Sequence, residues 1–143
     1  MRVFIQYVML CLFSFTFNVV WEWAHLALYT GYDALGSGWQ LVVRVALGDV
    51  MYTLFIVLFI AACEKGLDWM GEARLYEYVS ASGMGFFVAL FVEYKGLWLH
   101  RWSYSHAMPM LPILGVGLSP VLQMMVLVPL SVYIVKKVSD TIF

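Results

Sequence analysis

The sequence predicts an all-α fold, a four-helix transmembrane bundle in up-down order that makes one domain of residues 1–143. Three observations predict it. Of the 143 residues, 64% are hydrophobic and only 12% charged, about half the charged fraction of an ordinary soluble domain. The mean hydropathy is +0.87. Four apolar stretches each reach the length of about 20 residues that a helix needs to cross a hydrocarbon core. A soluble helical core is a poor reading, because 8 basic and 9 acidic side chains cannot cover four apolar helices in water. A β-barrel would need alternating polar positions along each strand, and the chain lacks them.

The spans are expected at residues 3–28, 41–63, 78–99 and 111–135. In lipid each must satisfy its own backbone, which makes helix the default. The first stretch follows Arg2 and runs on into Val19-Val20-Trp21 with no small-residue cleavage site, so it reads as an uncleaved span. The connection over 31–40 is turn-rich. The segment from His100 to Pro112 is aromatic, holds two histidines and ends in prolines that suit the entry to span four. Inside that span, Pro120 is expected to kink or locally break the helix. Cys11 and Cys63 read as buried free thiols, too few for a disulfide framework.

Orientation follows from basic residues beside the spans. Arg2, Lys65, Arg74, Lys136 and Lys137 flank one set of ends, against Arg44, Lys95 and Arg101 at the other. The bias predicts a multi-pass cell-membrane protein with both termini cytoplasmic. Trp39 and Trp98 at one set of ends, and Trp69, Tyr76 and Tyr78 at the other, read as interfacial aromatics. A net charge of -1 without a basic run gives no sign of a nucleic-acid partner.

The informative residues are polar ones inside the spans. Ser14, Asn18, Glu22, His25 and Tyr29 recur at spacings of 4, 4, 3 and 4, within an arc of about 80° on a helix. Span two adds Asp49 with Thr53, span three adds Glu93 on a stripe with Ser82 and His100, and span four adds Ser119 and Gln123. In up-down order these positions converge at one depth, whichever way the bundle faces. Each ionisable group there costs roughly 2.5–3.5 kcal/mol on insertion scales, so partners or chemistry are expected. The bland explanation is internal pairing, with Arg44, Lys95, Arg101 and the histidines neutralising the three acids.

Two chemistries fit the constellation. Glu22-x-x-His25 has the spacing of di-iron carboxylate bundles, but the second such pair is missing. A metal site, if present, would draw on Glu22, His25, His100 and His106. The preferred reading needs no metal or other cofactor: Glu22, Glu93, Asp49 and His25 as catalytic acids and bases, since a carboxyl group withdrawn from water can keep its proton. Asn18, Tyr29, Trp102, Tyr104 and Gln123 would bind substrate. Trp21, Trp23, Trp98 and Tyr94 would join Trp102 and Tyr104 as faces that stabilise a carbocation.

The run Trp21-Glu22 with His25, Gly48-Asp49, Glu93, Trp102-x-Tyr104, Met108-Pro109, Gly117-Leu118 and Pro120-x-x-Gln123 resembles a pattern of small four-span bacterial membrane proteins. The resemblance covers most of the chain and implies no activity. In architecture alone the chain is also similar to small membrane cyclases and isomerases of isoprenoids, such as heterodimeric lycopene cyclase subunits and transmembrane terpene cyclases. No residue takes a role from that likeness. The sequence therefore points to a polar intramembrane pocket working on an isoprenoid or other lipid as an isomerase, cyclase or hydratase. Its alternatives are a non-catalytic subunit or small carrier in a homo-oligomer or larger complex, and a metal-dependent membrane enzyme.

Overall fold

A computed structural model describes residues 1–31, 36 and 38–142. Asp33 and most of the first turn-rich connection lie outside the described residues. Four long helices dominate: α1 (Arg2–His25), α2 (Gly38–Glu64), α3 (Leu75–Trp98) and α4 (Leu118–Ile142). Each is long and apolar enough to cross a membrane. The helices form a ring in which α1 packs on α2 and α4, and α3 packs on α2 and most extensively on α4.

The buried faces explain the packing. Along α1 the inward residues are Gln6, Leu10, Ser14, Asn18, Glu22 and His25, a stripe at spacings of three and four whose flanks carry Phe4, Leu12 and Val20 outward. The inward stripe of α3 is Ala81, Gly85 and Ala89, continued by Glu93 and Gly96. Small residues every fourth position let a neighbouring backbone come close. A Cβ built on Gly85 would stand 2.6 Å from the Met124 carbonyl oxygen of α4. The stripe lies one residue away from the Ser82 position read from sequence, and Ser82 is only half-buried.

Both chain ends meet at one end of the bundle. Arg2 lies 3.9 Å from Asp140, and Lys136 Nζ donates to the Ala73 carbonyl at 2.7 Å. A short 3-10 turn over Trp69–Glu72 lies against α4 at this end. Trp69 and Met70 are buried there, so Trp69 is a core residue and not the interfacial aromatic its position suggests. The chain turns back toward the core after α2 and carries the indole with it. Cys63 is exposed and Cys11 half-buried, both as free thiols, which corrects the expectation that both are buried.

The opposite end is built from loops. Strand β1 (Tyr29–Thr30) follows α1 through a 3-10 turn at Leu26–Leu28, and pairs antiparallel with β2 (Ser103–Tyr104). This tie draws the segment after α3 over the end of α1. A hairpin of β3 (Met110–Leu111) and β4 (Val116–Gly117) then precedes α4. Gly115 turns it in the left-handed region at φ 64, where a side chain would be strained. Its amide donates to the Leu111 carbonyl at 2.8 Å.

That hairpin corrects the fourth span. Helix α4 begins at Leu118 and reaches Ile142, whereas the apolar run suggested 111–135. A short apolar run can be strand or helix by composition alone, and Pro112 with Gly115 selects a turn. Pro120 is therefore no kink. It is the third residue of α4, where an amide hydrogen would have no intrahelical acceptor. Pro129 is the proline inside the helix.

Candidate functional site

The polar positions of all four helices meet near the loop-built end. Gln123 on α4 is the hub. Its Nε2 donates toward Asn18 Oδ1 at 2.9 Å, Glu22 Oε1 at 2.8 Å and Asp49 Oδ2 at 3.1 Å, so one amide links α1, α2 and α4. Glu22 and Asp49 also hydrogen-bond each other. One turn deeper, Ser14 donates to Thr53 at 3.1 Å, and Asn18 Nδ2 donates to the Ser14 carbonyl at 2.8 Å.

Glu22 uses its second oxygen elsewhere. Oε2 lies 3.0 Å from His25 Nε2, a pairing that the three-residue spacing on one helix face permits. The other ring nitrogen, Nδ1, lies 2.8 Å from Ser119 Oγ. Trp21 Nε1 donates to the same hydroxyl at 3.3 Å. With Nε2 protonated, His25 donates to Glu22 and accepts the Ser119 proton, and every contact is satisfied. Ser119 is the residue the sequence reading left without a role. Its signal was that of a polar residue inside span four, converging with the others, and nothing in that announces His25 as a partner.

Glu93 occupies the other side of the cluster. Its Oε1 accepts from Tyr29 at 3.3 Å, its Oε2 accepts from Tyr104, and the Trp102 indole lies beside the carboxyl group. The β1–β2 pairing sets this up, since Tyr29 and Tyr104 are register partners. Burial first, and the contact with Glu93 second, hold the Tyr104 phenol well above the usual tyrosine range, so it remains a donor. The backbone amide of Gly117 donates to its oxygen. Trp102 lies flat against Gly96, where a Cβ would collide with its ring.

Glu22, Asp49, Glu93 and Gln123, with Tyr29 and Trp102, line one cavity of about 60 Å³. That is room for a few waters or a small functional group, since one water needs roughly 10–15 Å³ on this measure. Asn18 meets Gln123 behind it. The remaining expectations separate from the site. His100 and His106 are exposed, and among the described residues no three His, Cys, Asp or Glu side chains gather as a metal-binding group. Lys95 and Arg101 are exposed as well. Among the described residues, His25 is a basic side chain that meets Glu22. Trp23 and Trp98 face outward, while Tyr94 donates to the Leu114 carbonyl. Of the aromatic faces, Tyr29, Trp102 and Tyr104 form the cluster, with ring centroids 5.6 and 6.4 Å from Tyr29.

No protein-family model, curated protein or solved structure matches the chain. The functional reading rests on this geometry.

Proposed function

We propose that this chain is a multi-pass membrane protein that performs acid–base chemistry on a lipid. The observation that carries the reading is the chain of contacts from Asp49 through Glu22 to His25. Groups held in hydrogen-bond contact pass a proton without losing it to solvent. In an apolar span, two carboxyl groups sharing a site and a histidine are costly unless used or fully partnered. Glu22 and Asp49 are the proton-holding pair, and His25 is the base that exchanges with them. Glu93, with one phenol donor on each oxygen, is the acceptor that orients Tyr29 and Tyr104 beside the cavity.

The cavity of about 60 Å³ is smaller than the roughly 300–1,000 Å³ of a typical small-molecule site. A lipid would therefore place only its reacting group there, with its chain outside the bundle. A second reading has its own support. The hub amide of Gln123 satisfies partners on two neighbouring helices, which is also what a structural lock in a non-catalytic subunit requires.

The test is conversion of lipid by purified protein in liposomes of total polar lipid extract doped with polyprenyl alcohols, in D₂O, read by mass spectrometry. Protein-dependent new species or non-exchangeable deuterium, lost in Glu22→Gln, support the reading. Folded wild-type protein that leaves every lipid unchanged sinks it and favours the structural lock.

A further inference from the structure

Beyond the cavity, the contacts of Glu22 and His25 end on a hydroxyl. We propose that Ser119, His25 and Glu22 form a nucleophilic triad that takes the acyl group of an ester-linked membrane lipid, whose chain lies in the groove between α1 and α4. The inference rests on the Glu22–His25 pair of the acid–base reading above, and places the reacting group on the groove side of that pair instead of in the cavity.

The geometry has the required parts. Ser119 Oγ and His25 Nδ1 are 2.8 Å apart, within the reach a nucleophile needs to its base. His25 Nε2 and Glu22 Oε2 are 3.0 Å apart, so the carboxylate fixes the imidazole with Nδ1 free to accept. Glu22 is itself held by Gln123 through its other oxygen. The serine uses Nδ1 and the acid Nε2, the reverse of the serine-protease arrangement. The chemistry needs only that one nitrogen accept while the other donates. Trp21 points its indole N–H at the same hydroxyl. Ser119 is the second residue of a 25-residue helix; the Leu118 amide is taken by the Pro109 carbonyl and Pro120 has none, which leaves the Ser119 and Val121 amides without intrahelical acceptors and available to developing negative charge.

The substrate class follows from where the triad stands. On its outer side His25 and Ser119 line an apolar groove of about 420 Å³ with Phe17, Val20, Ala24 and Leu127. His25 is the last residue of α1 and Ser119 nearly the first of α4. The hydroxyl thus lies level with the helix ends, the depth at which the esters of glycerolipids lie when such helices span a bilayer. Phe17 and Leu127 are each eight residues further along their helices, so the groove descends about 12 Å from the triad toward the membrane interior. A lipid with its ester at Ser119 would lay its acyl chain along that descent.

The steps balance without any further reagent but water or another acceptor hydroxyl. Ser119 Oγ bonds to the ester carbonyl carbon as its proton passes to His25 Nδ1. The tetrahedral intermediate collapses, the ester C–O bond breaks, and the departing alkoxide takes that proton from His25. Water then attacks acyl-Ser119, gives its proton to His25, and the released Ser119 oxygen recovers it. The products are a fatty acid and the deacylated lipid.

The experiment is labelling of the full-length protein in lipid nanodiscs with a long-chain alkyl fluorophosphonate, mapped by peptide mass spectrometry. The expected result is one adduct on Ser119. It should be absent in Ser119→Ala and slowed about a hundredfold or more in His25→Gln, the contribution typical of a general base. Substitution of Val20 by Trp should fill the groove and slow the long-chain probe more than an ethyl analogue. Each variant is first shown monodisperse by size exclusion. An unlabelled wild type, an adduct on another residue, or equal labelling in His25→Gln overturns the triad. If lipid conversion in liposomes still depends on Glu22 while Ser119 stays unlabelled, the acid–base reading stands and the nucleophile falls.

Discussion

Replacing Gln123 by Leu removes one amide and strands acceptors on two other helices. Three oxygens lie within 2.8–3.1 Å of its Nε2, but an amide nitrogen has two hydrogens, so at most two strong bonds form at once. A stranded buried acceptor costs about 1–3 kcal/mol in soluble proteins. Interhelical hydrogen bonds in a membrane measure lower, about 0.6 kcal/mol on average and at most about 1.7. The adjoining cavity can admit water to replace a lost donor, so the lower scale applies. Two bonds then amount to about 1–3 kcal/mol. For a chain of this size that is a fall in Tm of about 3–10 °C. The assay is thermal unfolding in detergent micelles, with Leu122→Ala on the outward face of α4 as the comparison. A Gln123→Leu protein that melts with the wild type would refute the hub.

Three other outcomes follow from single contacts. Gly85→Ala should lower Tm by forcing α3 and α4 apart, at about 1–3 kcal/mol for overpacking, whereas Gly83→Ala, which meets open space, should not. Gly96→Ala should displace the Trp102 ring, seen as a shift in tryptophan emission together with lower stability. The raised Tyr104 phenol binds its proton more tightly folded than unfolded. Its contribution to stability is whole below about pH 10 and fades as pH rises through the higher folded value. Tyr104→Phe should flatten the alkaline fall in Tm, and an unchanged fall would refute the raised phenol.

The helices and the α1 stripe were legible because long apolar runs with a polar inward face leave a strong periodic signal. Ser14, Asn18, Glu22 and His25 stand out against Phe and Leu, and all four are buried. Convergence with Asp49, Glu93 and Gln123 followed from antiparallel order alone. The features that escaped depend on loops. The β1–β2 pairing that brings Tyr29 and Tyr104 onto Glu93 involves two residues a side, too few for a period. The β3–β4 hairpin read as the start of a helix because its residues are equally apolar. Ser119 was legible as a polar residue of the cluster, but its pairing was not, because that lies in the distance to His25, 94 positions away. Of the charged pairings weighed as a bland explanation, the local Glu22–His25 pair lies in the cluster.

The claim at the centre of this account is a site where acid–base groups of the protein meet a lipid. Native mass spectrometry of protein released from lipid nanodiscs tests it most directly. The account predicts a bound mass matching a single lipid species, retained in Ser119→Ala and lost when Val20 is replaced by Trp in the α1–α4 groove. A chain that leaves the nanodisc with no lipid, or with the same random mixture in both variants, would contradict it.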